Sequence, residues 1–243
     1  MTTPKKIALI TGANKGIGFE VSQQIARTGV TVLMGARNKA LGEAAVAKLT
    51  AEGLDAHFVI IDIADRASVT AAAAKIEADF GQLDILVNNA GVWDAEDNNP
   101  SKADLDAVER TWRTNFLGAV AVTQALLPLL RTSPAGRIVN VSSGLGSLTQ
   151  NGDHEYQKWT PNFLGYSASK AALNMFTVQL AYELRETPIK VNSADPGYTA
   201  TDLNHHRGTQ TIEEGSAETI RLALLPDDGP TGTYSDSKGI VPW

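Results

Sequence analysis

The sequence predicts an α/β fold, doubly wound around a mostly parallel sheet with helices on both faces. Three observations predict it. Strand-like and helix-like segments alternate along the chain, the order expected of helices packed against a parallel sheet. Several strand-like segments, such as Val59-Ile60-Ile61 and Ile85-Leu86-Val87, are continuous apolar runs, which marks strands buried on both faces. The first strand runs directly into a glycine-rich turn and then a helix, and such folds hold ligands at the C-terminal ends of their strands.

In chain order, the short apolar segment Lys6–Thr11 is the first strand. The turn Thr11-Gly12-Ala13-Asn14-Lys15-Gly16-Ile17-Gly18 delivers it into a helix over Gly16–Thr28, where Phe19 to Ala26 have helical spacing. Val30–Ala36 and Lys39–Glu52 form the next strand and helix, and Ala56–Asp62 with Arg66–Phe80 the third pair. Leu83–Asn88 precedes a long helix over Asp104–Arg131, which Pro128 bends or closes. Gly136–Ser142, Ser167–Arg185, Ile189–Ala194, Glu213–Leu225 and Gly232–Ser235 complete seven strands and six helices. Two stretches break the rhythm. Residues 144–165 are polar and aromatic, with Tyr156, Trp159 and Phe163, and residues 198–212 are polar, with His205-His206. Both read as loops that cover a site at the strand ends. No linker, repeat or low-complexity tract interrupts 1–243, which reads as a single domain.

Composition narrows the functional class. The chain has 243 residues, 43% hydrophobic and 6% aromatic, enough for a core without staples. It has no cysteine, which excludes disulfides, thiol nucleophiles and thiolate metal sites. A formal net charge of −6 argues against nonspecific nucleic-acid binding and against anionic membrane surfaces. The apolar stretch after Met1 is too short for a signal peptide or a membrane span, so the expectation is a soluble cytoplasmic protein. Adjacent His205 and His206 lack a third ligand at metal spacing, and no metal is expected.

Two motifs carry chemistry. The glycine turn reads Gly-x-x-x-Gly-x-Gly, and its glycines and free helix N–H groups suit a pyrophosphate. Tyr166 and Lys170, in Gly165-Tyr166-Ser167-Ala168-Ser169-Lys170, are four residues apart and share one helix face. A phenol titrates near pH ~10; a neighbouring ammonium favours the phenolate and makes the tyrosine a usable acid–base group. Arg37, after the second strand, is the type of residue that matches a ribose 2′-phosphate, where a carboxylate would instead bind a 2′-hydroxyl. Lys15 adds a second cation. The pair favours NADP(H) over NAD.

The landmarks Thr11-Gly12 to Gly18, Asn88-Asn89-Ala90-Gly91, Asn115, Val141-Ser142-Ser143, Tyr166 to Lys170 and Pro196-Gly197 stand in one order. In that order the chain resembles the short-chain dehydrogenases/reductases over nearly its whole length, and resembles most their carbonyl reductase members. Thr11 to Glu20 and the late Glu213-Glu214-Gly215 and Leu222-Ala223-Leu224-Leu225-Pro226 carry the second likeness. The resemblance implies a Rossmann domain and a catalytic set of Asn115, Ser143, Tyr166 and Lys170. Alternation along a strand turns only one of Ser142 and Ser143 to the cleft, and the family pattern assigns the second. The asparagine loosens its helix in the family, and its backbone carbonyl holds a water that contacts the lysine. Gly12, Asn14, Lys15, Gly16, Ile17, Gly18, Arg37, Asp62, Ile63, Asn89, Ala90, Gly91, Tyr166, Lys170, Pro196, Gly197, Thr199 and Thr201 are the implied cofactor contacts.

The activity implied is reduction of a ketone or aldehyde by NADPH, with Tyr166 giving the proton. Tyr156 lies 13 residues after Ser143 and rivals Tyr166, but Thr160 stands where its lysine would be. Trp93, Ser143, Tyr156, Trp159 and Tyr166 are expected around a bulky, largely apolar carbonyl substrate. Other readings on the same fold are an NAD-linked alcohol dehydrogenase, a C=C reductase, or a dinucleotide-binding sensor without chemistry. The 144–165 insertion is shorter than those that accompany monomeric carbonyl reductases and precedes a helix that many family members use to pair. A monomer or dimer is expected over a tetramer.

Overall fold

A computed structural model describes residues 5–158 and 160–243. One eight-stranded sheet has the order β3-β2-β1-β4-β5-β6-β7-β8. Its strands are β1 Ile7–Thr11, β2 Thr31–Ala36, β3 Ala56–Ile60, β4 Ile85–Asn88, β5 Arg137–Val141, β6 Lys190–Ala194, β7 Tyr234–Asp236 and β8 Gly239–Ile240. The first seven are parallel and in register, as Leu9 with Leu33 and Leu86 shows. The eighth pairs antiparallel with β7, through Ser235 with Ile240. The sequence predicts seven strands; two residues after a tight turn are too short to announce a strand.

Alternation divides the core into two halves. Leu9, Leu33, Leu86, Ile138 and Val191 face one layer, with Ile76 of α3 (Arg66–Phe80), Val122 and Leu126 of α5 (Ala119–Leu130) and Leu180 of α8 (Leu164–Glu183). Their sequence neighbours Ala8, Ile10, Val32, Met34, Ile85 and Val87 face the other layer. There they meet Val21 and Ile25 of α1 (Gly16–Arg27), Leu49 of α2 (Lys39–Ala51) and Leu222 of α9 (Ile212–Ala223). Each fully buried aliphatic side chain contributes about 1.5–3 kcal/mol. The continuous apolar strands therefore fix both layers at once.

Local signals end most helices where expected. Asn38 Oδ1 accepts from Leu41 N at 3.0 Å, Asp65 Oδ1 from Ala67 N at 2.9 Å and Asp104 Oδ1 from Ala107 N at 2.8 Å. Thr211 and Glu214 form a reciprocal capping box at the start of α9. Gly81 closes α3 in the left-handed conformation.

Three predicted elements differ. The long helix Asp104–Arg131 is α4 (Leu105–Trp112), a π-helical turn at Arg113–Gly118, and α5; Pro128 sits two residues before its end. The helix bearing Tyr166 begins at Leu164 rather than Ser167, because a distant carboxylate supplies its cap. Within 144–165 lie two single-turn helices, α6 (Leu148–Asn151) and α7 (His154–Gln157), each capped by its own Ser147 or Asp153. Trp159 lies outside the described residues.

Candidate active site

A cleft of about 660 Å³ runs over the C-terminal ends of β1, β2, β4 and β5. The glycine turn forms its floor. Gly12 has φ +65, and a side chain there would stand 3.0 Å from the Ala90 Cα. A Cβ at Gly18 would lie 2.4 Å from Asn89 Nδ2. Both positions keep backbone bare where the strands β1 and β4 converge. Asn89 ties that junction: its Nδ2 donates to the carbonyls of Thr11 at 2.9 Å and Gly12 at 3.3 Å. Thr11 Oγ1 in turn accepts from Asn89 N and Ala90 N, each at 3.1 Å. Asn88 instead points into the core, bonded to Thr123 and Asn140.

Of the residues nominated for a cofactor, all but Gly197 and Thr199 line this cleft. Asn14, Ile17, Arg37, Asp62, Ile63 and Pro196 do so from four separate strand ends. Thr199 is corrected by its burial: Oγ1 turns inward and donates to the Pro196 carbonyl at 2.8 Å. Thr201 does line the cleft, within a capping box shared with Asn204. Arg37 is exposed at one end and makes no ion pair among the described residues. Lys15 is not the free cation the sequence suggests. Its Nζ lies 2.6 Å from Asp202 Oδ2, and His206 Nε2 lies 2.8 Å from Asp202 Oδ1. Asp202 comes from the 198–212 stretch, which thus crosses the cleft mouth.

The four residues nominated for catalysis meet at the other end. Ser143 follows β5 and lies near enough to the Tyr166 phenol to favour its ionised form, and its Oγ accepts from Leu145 N at 3.3 Å. Ser142 Oγ is buried and has no hydrogen-bond partner of good geometry, and it is Ser142 rather than Ser143 that belongs to the cleft lining. Burial pushes the Tyr166 phenol up to about 12; the Ser143 hydrogen bond opposes this and the charge of Asp195 adds to it. Burial also brings the Lys170 ammonium down to about 8, against the charge of Asp195. Lys170 Nζ donates to the Val141 carbonyl at 2.8 Å and stands 5.7 Å from the Tyr166 ring centroid. The sequence expects Lys170 to lower the phenol; in this structure desolvation is the largest influence and acts the other way, and Lys170 Nζ bonds the Val141 carbonyl rather than the phenol.

Asn115 is buried inside the π-helical turn. Its Oδ1 accepts from Val92 N at 2.8 Å, and its Nδ2 donates to Val92 O at 2.9 Å and Ser169 Oγ at 3.1 Å. It thereby joins the loop after β4 to the helix of Tyr166. Trp93, on that loop, packs against Phe163 at 5.1 Å between ring centroids. The 144–165 segment thus touches the loop after β4 through Phe163. Tyr156 lies apart from Trp93, close to Gly144 and Asp195.

Two residues escaped sequence reasoning. Asp97, buried, accepts from Gly165 N at 2.9 Å and Tyr166 N at 2.8 Å, so it caps α8 from 68 residues away. Asp195 precedes Pro196-Gly197, accepts from Gly197 N at 2.9 Å and is flanked by Tyr156, Tyr166 and Tyr234. An acid next to a Pro-Gly turn gave the only signal for the second; the first had none. Among the described residues no group of three potential metal ligands occurs, and no helix is long and apolar enough to cross a membrane.

The short chain dehydrogenase family profile matches residues 6–211. Carbonyl reductase (NADPH) 3 of Mus musculus is 34% identical over all of this chain and all of its own. The (−)-isopiperitenone reductase of Mentha piperita is 33% identical, covering 96% of this chain and 97% of that protein. The NADPH-bound carbonyl reductase from chicken fatty liver superposes with a TM-score of 0.84 at 27% identity, over 99% of this chain and 100% of the other.

Proposed function

The chain belongs to the short-chain dehydrogenases, and from that premise we propose that it reduces a ketone or aldehyde to an alcohol at the expense of NADPH. One observation supports the reading: Tyr166 and Lys170 line one end of a cleft, with Ser143 near the phenol, and the other end is a bare glycine turn beside Arg37, which makes no ion pair among the described residues. NADPH fits the donors present. Backbone N–H groups at the start of α1 suit its pyrophosphate, and Arg37 suits a 2′-phosphate. The names of the mouse and chicken relatives support the same cofactor.

When bound, NADPH supplies the hydride for the carbonyl carbon. The chain's own residues handle the oxygen. Ser143 Oγ donates a hydrogen bond to it as negative charge develops. Tyr166 Oη, protonated throughout the neutral range, gives the proton that completes the alcohol. Lys170, held between the Val141 carbonyl and the cleft, is placed to orient the nicotinamide ribose and to return a proton to Tyr166. Asn115 fixes Val92 and Ser169, and so the wall on either side of Lys170. Asp62, Ile63, Asn89, Ala90 and Gly91 would bound the adenosine and ribose portions, and Thr201 the pyrophosphate and the nicotinamide amide. Incubation with NADPH and a broad panel of ketones and aldehydes tests the reading. The expected result is NADPH consumption with stoichiometric alcohol, faster than with NADH. No consumption with any carbonyl compound leaves a dinucleotide-binding protein without chemistry.

A further inference from the structure

Asp195 lies on the sheet face that α8 covers, beneath the helix of Tyr166 and Lys170. On β6, Ser193 Oγ is 2.8 Å from Thr177 Oγ1 of α8, while Ala194 faces the opposite layer. Side chains alternate along a strand, so Asp195 returns to the face of α8. Thr177 and Lys170 are seven residues apart, two turns along one side of the helix. The ladder fixes the depth as well. Val141 pairs with Ala194, Ser142 N donates to Ala194 O at 2.7 Å, and Asp195 N donates to Ser235 O at 2.8 Å. Asp195 thus stands abreast of Ser142, one residue beyond the Val141 carbonyl that receives Lys170 Nζ. Its oxygens serve the turns that bound the cleft. Oδ1 accepts from Gly197 N at 2.9 Å, which closes the turn after Pro196. Oδ2 stands 3.1 Å from the place of a Cβ on Gly144, the residue after Ser143.

We infer that Asp195 is a positioning residue for the reduction, which ties the turn after Ser143 to the Pro196-Gly197 turn and places a negative charge under Tyr166 and Lys170. The inference rests on the proposed reductase activity and deepens it. The titratable groups that face Asp195 are Tyr166 and Lys170 of α8, Tyr156 of α7, and Tyr234 and Asp236 of β7. Lys170 is the one cation among them. The carboxyl is half-buried. Burial raises it, while the N–H groups of Gly197 and Gly144 pull it back down and so favour the anion. That anion favours the protonated form of both α8 groups. It opposes the burial that brings the ammonium down to about 8 and adds to the burial that pushes the phenol up to about 12. Reduction uses these protonated forms, with Tyr166 as the acid and Lys170 as the donor that restores it. Without the charge the ammonium is lost at a lower pH. Asp195 therefore extends reduction toward higher pH.

The test is the pH profile of kcat for NADPH-dependent reduction, measured with the fastest substrate of the ketone and aldehyde panel. Asp195→Asn keeps the oxygen that accepts from Gly197 N and loses the charge. Its alkaline limb is expected to fall at a pH about one unit below that of the native protein. Asp195→Glu, which returns the charge, is expected to hold the limb near the native pH. A role in packing or turn closure alone lowers kcat at every pH and leaves the limb in place. An unmoved limb in folded Asp195→Asn, or a limb in Asp195→Glu that moves as far as in Asp195→Asn, overturns the inference. Where Asp195→Asn does not fold, Asp195→Ser, an uncharged acceptor for Gly197 N, is read in its place. Failure of both to fold makes the carboxylate a structural group and overturns the inference. If the native protein consumes no NADPH with any carbonyl compound, the reductase reading fails, and the role of Asp195 with it. An active native protein with an unmoved limb in the variant removes the role of Asp195 alone.

Discussion

At the scale of single residues, burial governs the chemistry. Tyr166 holds its proton to about 12, which suits it to donate during reduction at neutral pH. Tyr166→Phe is expected to lose at least about two orders of magnitude in kcat with NADPH binding, followed by fluorescence, retained. Tyr156→Phe is expected to keep turnover within about tenfold of native; an inactive Tyr156→Phe would transfer the proton to that residue. Lys170 shows the cost of the same burial. Its ammonium sits at about 8 against an ordinary 10.5. Below 8 both folded and unfolded chains hold the proton, and folding bears the full desolvation. Above 8 the folded chain releases it while the unfolded chain keeps it, so stability rises with pH until 10.5. Urea midpoints are expected to show a gain on the order of 1–2 kcal/mol from about pH 7 to about pH 9.5. Lys170→Met should lack that gain, be inactive and be no less stable at neutral pH. At the far end, Arg37→Asp removes a cation and adds repulsion. Its expected effect is a raised KM for NADPH and a relative gain with NADH; equal kinetics with both cofactors in the native protein would refute the role of Arg37.

At the scale of elements, α8 is positioned from both sides. Asp97 receives the backbone N–H groups of Gly165 and Tyr166, a helix N-terminus meeting a carboxylate. Asn98 O accepts from Leu164 N at 3.1 Å beside it. The loop after β4 therefore sets where the phenol stands relative to Ser143. Asp97→Asn keeps an acceptor and loses the charge. Expected are a stability loss of about 1 kcal/mol and a fall in kcat of about tenfold or more, with NADPH affinity unchanged. A purely structural cap would show the stability loss alone. The π-helical turn at Arg113–Gly118 acts similarly on Asn115. The extra residue in that turn departs from the regular ladder at the place where Asn115 must reach Val92 and Ser169. Helical periodicity marked this segment as helix and could not show the bulge, since one displaced residue barely alters the apolar spacing of the turns around it.

At the scale of the whole molecule, a monomer or dimer is expected, and light scattering is the measurement: a mass near that of one or two 25.8 kDa chains agrees, and a tetramer does not. Met175 and Tyr182 of α8 are exposed, so a pairing face is available on that helix. The architecture itself was legible in the sequence because its signals are local. A strand buried on both faces must be apolar throughout, a phosphate-binding turn must be glycine, and Tyr166 and Lys170 share a face by their spacing alone. By itself the sequence thus determined the doubly wound sheet, the glycine floor of the cleft and the shared face of Tyr166 and Lys170. Only the tertiary structure decided that Asp97 caps a helix 68 residues away, that Asp202 takes Lys15, and that Asp195, Gln150 and Tyr156 meet at Gly144. The reason is physical. Propensity and periodicity act within a few turns of chain, whereas these encounters depend on the strand order that sets β5 beside β6 and on desolvation, which no residue carries until the others have closed around it.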